Sequence, residues 1–327
     1  MKWTKSIVST LIAIAIASTA AAQAEPLRIG YWTSGVSVGF GSVLETQGFL
    51  KDAGVDATFI RFSDVNAPTR ALAANAIDLA FGGAAAGVFS TASDGVPIKI
   101  FLATQPADVR FVVPADSPIT SMAQLRSKKI GMSPAGSSVA SIAQAVLAGN
   151  HGIGPADFSL VGGNESRLAV FIAQKQIDAA ALRSVTLEQI KELNVRELST
   201  FAEEWKMLTK SDSVPYLGVG VVRSEVAEKQ PETVAKVIVA MREALAWGEK
   251  HPDKVAAVLQ KAANLKPVDA QAYAGLWNKM NRVALEPADI ETLRREYQLF
   301  ADADTIKGKL PADLFITGPY ELSKTIK

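Results

Sequence analysis

Residues 130–147 read IGMSPAGSSVASIAQAVL: a short apolar run, a loop of small residues and a longer apolar run. The first run, IGMS at 130–133, has the length of a buried strand, and the apolar spacing from Val139 to Leu147 indicates a helix. The glycines and serines between them leave backbone N–H groups uncovered where the first helical turn has donors without internal partners. The loop therefore suits an anion, although an ordinary serine cap explains the same residues.

The same order of strand, loop and helix recurs along the chain. Helices are expected from about Phe40 to Ala53, from Pro68 onward and over the small residues GAAAGVFSTAS, whereas TSGVSVGFGS (33–42) is expected to form a turn. Strands that alternate with short helices predict βαβ units around a parallel sheet, so the chain is assigned to the α/β class. The runs expected as strands in the first third are LRIGYW (27–32), ATFIRF (57–62), IDLAFG (77–82) and IKIFLAT (98–104).

A second set of similar elements begins with the strand expected in FVVPADSPI (111–119). Aligned at an offset of 100 residues, ALAANAIDLAF (71–81) and FIAQKQIDAAA (171–181) share an alanine, the Ile-Asp pair and a second alanine. Two similar α/β lobes in succession are therefore expected, with strands at about 109–113 and 217–222 as paired crossings between them. The helical C-terminal part should pack on the first lobe, which would comprise 25–112 and 218–327, and the second lobe would comprise 113–217.

The first 24 residues have the three parts of a secretory signal peptide. Lys2 and Lys5 supply a positive start, 7–17 supply an apolar stretch, and Ala22-Gln23-Ala24 matches a small-x-small cleavage site. Cleavage before Glu25 would leave roughly 300 residues, more than one hydrophobic core usually supports. A mature protein exported to the periplasm and not anchored in a membrane is expected.

Composition argues against several kinds of function. The chain has 34 basic and 33 acidic residues, so it lacks the basic stripe that nucleic-acid binding requires. It has no cysteine, which excludes disulfides, a thiol nucleophile and a lipid-modified cysteine. His151 and His251 have no neighbour at metal-ligand spacing, and both are expected at the surface. No nucleotide-binding or nucleophile-elbow motif appears, so no metal, cofactor or catalytic residue is predicted.

Small and hydroxyl-bearing residues follow six of the expected strands. Ligands of open α/β sheets bind beyond the carboxyl ends of the strands, so these loops predict an anion-binding cleft shared by both lobes, although each loop alone could be a plain turn. Arg183 and Trp32 are the bulky exceptions. The candidate ligand-binding residues are Trp32, Thr33, Ser34, Gly82, Gly83, Ala84, Gly136, Ser137, Ser138, Asn164 and Arg183.

The chain resembles the periplasmic solute-binding proteins that serve nitrate, taurine and alkanesulfonate ABC importers, a family grouped with thiamine-precursor binding proteins. The resemblance is carried by LRIGYWTS (27–34), by the segment 71–104, by SPITSMAQLRSKKIGMSPAGSS (117–138) and by VVRSEVAEKQPETV (221–234). It implies a two-lobe fold of the type II periplasmic-binding-protein kind, with a two-strand hinge and lobes that close on a small, usually anionic ligand. The loops that match the family's ligand contacts are 32–34, 82–84 and 136–138.

Arg183 departs from the resemblance, because the family often has an aromatic and an acidic residue at the end of this strand. Because a fixed positive charge stands there, the ligand of a nitrate or sulfonate binder in the family cannot simply be assigned to this protein. The favoured ligand is an organic anion, a sulfonate or carboxylate with an apolar or aromatic part, over a bare inorganic ion. Two alternatives stay open: Arg183 could lie at the surface paired with an acid such as Glu188, and Trp32 could be lobe core instead of a stacking surface.

The expected function is the solute-binding component of an ABC importer, a monomer that delivers its ligand to a permease with its ATPase. One alternative is an enzyme of the thiamine-pyrimidine synthase type, which the two histidines, the lack of cysteine and the export signal make less suitable. The other is a ligand-sensing domain that feeds a receptor. Such proteins usually carry a helix-turn-helix or a membrane segment on the same chain.

Overall fold

The computed structural model describes residues 25–326. The expected signal peptide and its cleavage site lie outside the described residues. Ten strands are present: β1 (Leu27–Trp32), β2 (Ala57–Phe62), β3 (Leu79–Ala84), β4 (Ile98–Pro106), β5 (Val109–Pro114), β6 (Lys129–Met132), β7 (Ser159–Gly162), β8 (Ala179–Arg183), β9 (Val195–Thr200) and β10 (Tyr216–Arg223).

Helices cover both sheets. They are α1 (Gly35–Thr46), α2 (Phe49–Asp52), α3 (Ala67–Ala73), α4 (Ala85–Ser93), α5 (Ser138–His151), α6 (Glu165–Ala173), α7 (Ser184–Gln189), α8 (Phe201–Thr209), α9 (Ser224–Lys229), α10 (Pro231–Lys250), α11 (Pro252–Ala262), α12 (Pro267–Gly275), α13 (Trp277–Met280), α14 (Pro287–Asp302) and α15 (Gly318–Ser323). Within residues 25–326, no helix combines the length and the apolar character needed to cross a bilayer.

The strands form two five-stranded sheets of the same design. The first sheet has the order β2-β1-β3-β10-β4 and the second β7-β6-β8-β5-β9. In each, three parallel strands are followed by one antiparallel strand that returns from elsewhere in the chain, β10 against β3 and β5 against β8. The predicted α/β class and the succession of two similar α/β lobes are confirmed.

The internal repeat at an offset of 100 residues is a structural repeat. Asp78 accepts a hydrogen bond from the backbone N–H of Arg28 at 3.0 Å, and Asp178 accepts one from that of Lys129 at 2.7 Å. The residue three positions before each aspartate has a positive φ, 56° and 54°. In both lobes the aspartate therefore joins a turn after a helix to the first residues of the neighbouring parallel strand.

The chain crosses between the two sheets twice, after β4 and before β10. The crossings are adjacent, since the N–H of Ala107 donates to the carbonyl of Pro215 at 2.8 Å. The strands expected as the paired crossings, at 109–113 and 217–222, are β5 and β10, which belong to different sheets, so the segments that cross are the ones just before them. The expected boundaries at 112/113 and 217/218 fall inside these strands, and we propose to divide the lobes at 107–108 and 210–215 instead.

The helix expected from Phe40 begins earlier, at Gly35, and the segment expected as a turn is its first half. Its glycines serve close packing. A Cβ at Gly39 would lie 2.1 Å from the Tyr273 ring, and one at Gly41 would lie 2.4 Å from the Tyr31 ring. The helix stops near Gly48, whose φ of 84° suits glycine.

The C-terminal helices contact elements of the first lobe: α10 packs on α1, and α13 and α15 contact β4. The apolar stripe of α10 is buried at Val234, Val237, Ile238 and Met241, and Leu245 is half-buried. On the other side, α14 places Glu296 against the start of β10. The Glu296 carboxyl accepts a hydrogen bond from the Tyr216 N–H at 2.6 Å, and its Oε2 is buried without a partner. Burial raises the pKa of this carboxyl well above its usual range.

Replacing Glu296 with glutamine should change how stability depends on pH. The unfolded chain loses this proton near pH 4.5 and the folded chain keeps it to higher pH, so the wild type should lose stability as pH rises through that window. Relative to Glu296→Gln, which keeps the bond to Tyr216, the loss should reach about 1.4 kcal/mol per pH unit. Urea unfolding of both proteins from about pH 5 to about pH 8 gives the difference in their free energies of unfolding at each pH. A difference that does not vary with pH would contradict the assignment.

Candidate functional site

The carboxyl ends of β1 in the first sheet and of β8 in the second sheet meet between the two lobes. Trp32 ends β1 of the first sheet, Arg183 ends β8 of the second, and the guanidinium carbon lies 5.3 Å from the centroid of the indole ring. Only 6% of Trp32 and 4% of Arg183 are exposed. The two bulky residues singled out in the sequence therefore meet between the lobes, in cation–π contact.

Arg183 forms an ion pair with Glu165, the first residue of α6. Arg183 Nη1 pairs with Glu165 Oε1, and the backbone N–H of Arg183 donates to Glu165 Oε2 at 3.3 Å. The Thr186 hydroxyl donates to Oε2 as well, and the Ser133 hydroxyl lies 3.5 Å from Arg183 Nη1. The Nε of Arg183 is buried without a hydrogen-bond partner. The guanidinium is thus fixed in place while its Nε–H stays unused by protein atoms.

Pairing of Arg183 with Glu188 at the surface was the alternative that the sequence left open, and it is wrong. Glu188 pairs with Lys191 at 2.5 Å, and Arg183 is buried. Glu165 is a residue that the sequence reasoning missed as the partner. It lies in the segment GGNES (162–166), from which only Asn164 was singled out. Asn164 is exposed and caps α6, since its Oδ1 accepts from the N–H of Arg167 at 2.9 Å.

The serine loop before α5 acts both as a cap and as a contact between lobes. Ser137 is the N-cap residue, and its hydroxyl accepts from the N–H of Ala140 at 3.3 Å. The hydroxyl of Ser138 accepts from the N–H of Ala86, in the first turn of α4 on the opposite lobe, at 3.2 Å. Gly136 has a φ of 80°, which disfavours side chains. The cap interpretation therefore holds for Ser137, whereas anion binding by this loop stays a prediction.

The loops that follow the strands of the first lobe place small residues around Trp32. Ala84 and Val65 pack with Trp32 in a small buried cluster, and the indole N–H donates to the carbonyl of Ser63 at 3.3 Å. The Thr33 hydroxyl donates to the end of β2, and Ser34 stands at the N-cap position of α1 without a side-chain cap bond.

Gly82 and Gly83 have different environments at the end of β3. Gly82 has a φ of 63°, and a Cβ there would lie 2.4 Å from Gln105 Nε2 and 2.7 Å from Ser37 Oγ. Gln105 and Ser37 are themselves hydrogen-bonded at 2.9 Å. A Cβ at Gly83 would lie 3.2 Å from a Val221 methyl group and 3.6 Å from one of Val88. Gly82 is therefore required by the backbone and by the buried polar pair beside it.

A polar link connects Arg183 to the first crossing. The next residue, Ser184, donates its hydroxyl to Asp108 Oδ1 at 2.7 Å, and Lys279 from α13 pairs with the same oxygen at 3.0 Å. Arg110 Nε donates to the Ser184 hydroxyl at 3.2 Å. The strand end that carries the cation is thereby tied to the hinge. Asp108 carried no signal in the sequence, because its partners come from elements far along the chain.

Neither histidine belongs to this site. His151 ends α5, and its ring nitrogen lies 2.8 Å from the carboxylate of Glu204, with 15% of its side chain exposed, so the surface position expected for it is wrong. His251 packs against Trp247, with ring centroids 5.6 Å apart. Across residues 25–326, no group of three or more histidines and carboxylates could hold a metal ion.

Solved structures share this architecture. The alkanesulfonate-binding protein SsuA from Xanthomonas axonopodis pv. citri, bound to MOPS, superposes with a TM-score of 0.76 at 18% identity, covering 91% of this chain and all of that one. The periplasmic aliphatic sulphonate-binding protein SsuA from Escherichia coli gives 0.72 at 19% identity, over 89% and 91% of the two chains. The desulfurization enzyme DSZB gives 0.63 at 15% identity, over 91% and 98%.

Comparison of the sequence also identifies relatives, one of them named as a binding protein. A protein of Brucella abortus named as a binding protein is 25% identical over 305 residues, which cover 92% of this chain and 88% of the relative. The family model described as NMT1/THI5 like matches residues 42–255, more than half of the chain. The fold expected from the resemblance, two α/β lobes of the periplasmic-binding-protein kind, is confirmed by the structural matches. The chain belongs to the NMT1/THI5-like family.

Proposed function

We propose that the protein is the solute-binding component of an ABC importer and captures a small organic anion between its two lobes. One observation carries this proposal: the buried guanidinium of Arg183 faces Trp32 of the other lobe, and its Nε–H has no partner. A buried donor without a partner costs about 1–3 kcal/mol, a cost that a ligand oxygen at this position would remove. A planar guanidinium suits the oxygens of a carboxylate or sulfonate.

Magnitudes favour a ligand with an apolar body over a bare inorganic ion. A charge-assisted hydrogen bond contributes about 1.5–3 kcal/mol, and a helix N-terminus adds about 0.3–2 kcal/mol. The candidate helices are α1, α4 and α5, which begin directly after the loops of the cleft. Micromolar affinity requires about 8 kcal/mol in addition to the cost of ordering the ligand. Burial of apolar surface, for which Trp32 is the candidate wall, supplies the remainder.

We propose that the closed lobes then deliver the ligand to a permease and its ATPase in the periplasm, with the protein acting as a monomer. The proposed ligand-binding set keeps the candidates from both lobes, with Trp32 and Arg183 at its centre. The SsuA proteins bind sulfonates by name, and the Brucella relative is named for binding alone. These names support capture of a solute, and the sulfonate class enters here as a proposal.

A catalytic role is the second candidate, because DSZB shares the fold. We propose binding without chemistry, since the side chains that meet in the cleft are an indole, a guanidinium already paired with a carboxylate, and serine hydroxyls that bond backbone N–H groups. Incubating the protein with each ligand that it binds and following the ligand by NMR distinguishes the two roles. Product that accumulates beyond one equivalent would establish an enzyme.

A thermal-shift screen tests the proposed function. Organic sulfonates, organic carboxylates, nitrate and pyrimidines should be compared with neutral analogues of the same bodies. We expect an organic monoanion to raise the melting temperature most, and a neutral analogue of the same body to raise it little. A preference for neutral pyrimidines or for nitrate would contradict the proposal.

The two serines before α5 should have separable effects. Ser137→Ala removes a cap and should cost about 0.5–2 kcal/mol of stability while leaving ligand affinity nearly unchanged. Ser138→Ala removes the contact with α4 of the opposite lobe, so it should weaken ligand binding several-fold. Its effect on the stability of the ligand-free protein should be smaller than that of Ser137→Ala. Urea unfolding and calorimetry on both variants provide the comparison. Equal effects of the two variants on both quantities would refute this division of roles.

A further inference from the structure

We propose that Glu165 makes the cleft selective for ligands with a single negative charge. This inference rests on the proposed function, because it concerns the ligand that Arg183 would bind. Glu165 does not face the ligand in this account. It acts through Arg183, as a positioning residue that also cancels the charge of the guanidinium.

The geometry shows that Glu165 is fully committed to the strand end that carries Arg183. One carboxylate oxygen pairs with the guanidinium, and the other accepts the N–H of Arg183 and the hydroxyl of Thr186. The side chains of Arg183 and Glu165 are 5% and 6% exposed, so water screens neither charge strongly. The pair therefore presents hydrogen-bond donors to the cleft with a net charge near zero.

The other cations beside this strand end are balanced in the same way. Arg110, which contacts Ser184, pairs with Glu197 at 2.6 Å, and Lys279 pairs with Asp108 at 3.0 Å. An oxygen atom of a singly charged ligand can still accept a hydrogen bond from the unused Nε–H of Arg183. A second negative charge would find no uncompensated cation among these groups, would be repelled by Glu165 and would lose its hydration on closure.

Matched ligand pairs test this selectivity. Benzenesulfonate carries one charge, and phenylphosphonate, of nearly the same shape, carries two at about pH 9 because its second ionisation lies near neutral pH, as in phosphates. Methanesulfonate and methylphosphonate form a smaller pair. We expect calorimetry at this pH to show that the wild type binds the sulfonate of a pair at least about tenfold more tightly, equivalent to about 1.4 kcal/mol.

Two variants separate charge from positioning. Glu165→Gln leaves the charge of Arg183 uncompensated, so it should reduce the sulfonate preference to about unity or reverse it. Thr186→Val removes a support of the same carboxylate without changing charge, so it should weaken both ligands alike and keep their ratio. Melting temperatures confirm that each variant is folded at the temperature of measurement, and lowering that temperature accommodates a destabilised variant.

The outcomes distinguish this inference from the proposed function. A tenfold preference in the wild type that disappears in Glu165→Gln and persists in Thr186→Val supports it. Equal wild-type affinity for the two members of a pair, or a ratio that Glu165→Gln leaves unchanged, overturns the charge selectivity while leaving anion capture intact. If neither pair binds to the wild type at all, the proposed function fails for these anions and the inference fails with it.

Discussion

Replacing Arg183 with alanine is expected to destabilise the protein by about 3–5 kcal/mol, because it leaves the carboxylate of Glu165 buried without its cation. The two side chains are 5% and 6% exposed, so water cannot replace the lost partner without opening the cleft. Arg183→Lys should recover part of the loss, since an ammonium offers charge without the planar fork. Urea unfolding of the ligand-free proteins measures the effect.

The double variant Arg183→Ala/Glu165→Ala is the matched control. Removing both charges takes away the uncompensated carboxylate, so the double variant should be more stable than Arg183→Ala alone. The coupling energy of the cycle should therefore be large compared with the roughly 0.3–0.5 kcal/mol found for independent sites. Strictly additive effects of the two substitutions would show that the pair does not exist in solution.

Gly82→Ala should cost about 2–4 kcal/mol, the second-largest effect expected for a single substitution here. An alanine at a φ of 63° is strained, and its Cβ would displace Gln105 from its hydrogen bond with Ser37. The side chains of Gln105 and Ser37 are buried, so the lost bond would leave polar atoms without water. Thermal and urea unfolding both report on this change.

Gly83→Ala is the control for Gly82→Ala. It adds the same methyl group one residue later, where the nearest atom is a Val221 methyl carbon at 3.2 Å and no positive φ is required. It should cost less than about 1 kcal/mol. If the two alanine variants are equally stable, Gly82 is not the conformational requirement that its backbone indicates.

Much of the fold was predictable from the sequence, because periodicity and position relative to the strands are local properties. The α/β class follows from the alternation of strands and helices, the repeat around Asp78 and Asp178 from identities at an offset of 100 residues, and the buried face of α10 from apolar spacing. The placement of Trp32 and Arg183 at the carboxyl ends of β1 and β8 agrees with the expected strands, and the two side chains meet between the lobes. That they bind a ligand there stays a prediction.

The errors arose where tertiary packing determines the outcome. The sequence predicts a turn over 33–42, yet Gly39 and Gly41 lie inside α1, where the rings of Tyr273 and Tyr31 occupy the space that a side chain would need. Composition alone does not distinguish a glycine needed for a turn from one needed for close packing.

The acidic partner of Arg183 could not be predicted from the sequence either. Glu188 is five residues away in sequence, but the carboxylate that binds Arg183 is that of Glu165, on a different β–α connection of the same sheet. The choice between these two acids depends on how β8 lies beside the neighbouring strands, which no local pattern specifies. The buried acid changes the electrostatic picture of the cleft from a lone cation to a balanced pair.

The most direct test of anion capture between the lobes is calorimetry on the wild type and on Arg183→Ala/Glu165→Ala, with the sulfonate or carboxylate that most raises the wild-type melting temperature. We expect the wild type to bind one ligand per chain with micromolar or tighter affinity. In the folded double variant we expect at least about a 30-fold loss of affinity, or about 2 kcal/mol. Equal affinity in the two proteins would contradict the account, because the ligand would then bind without the guanidinium of Arg183.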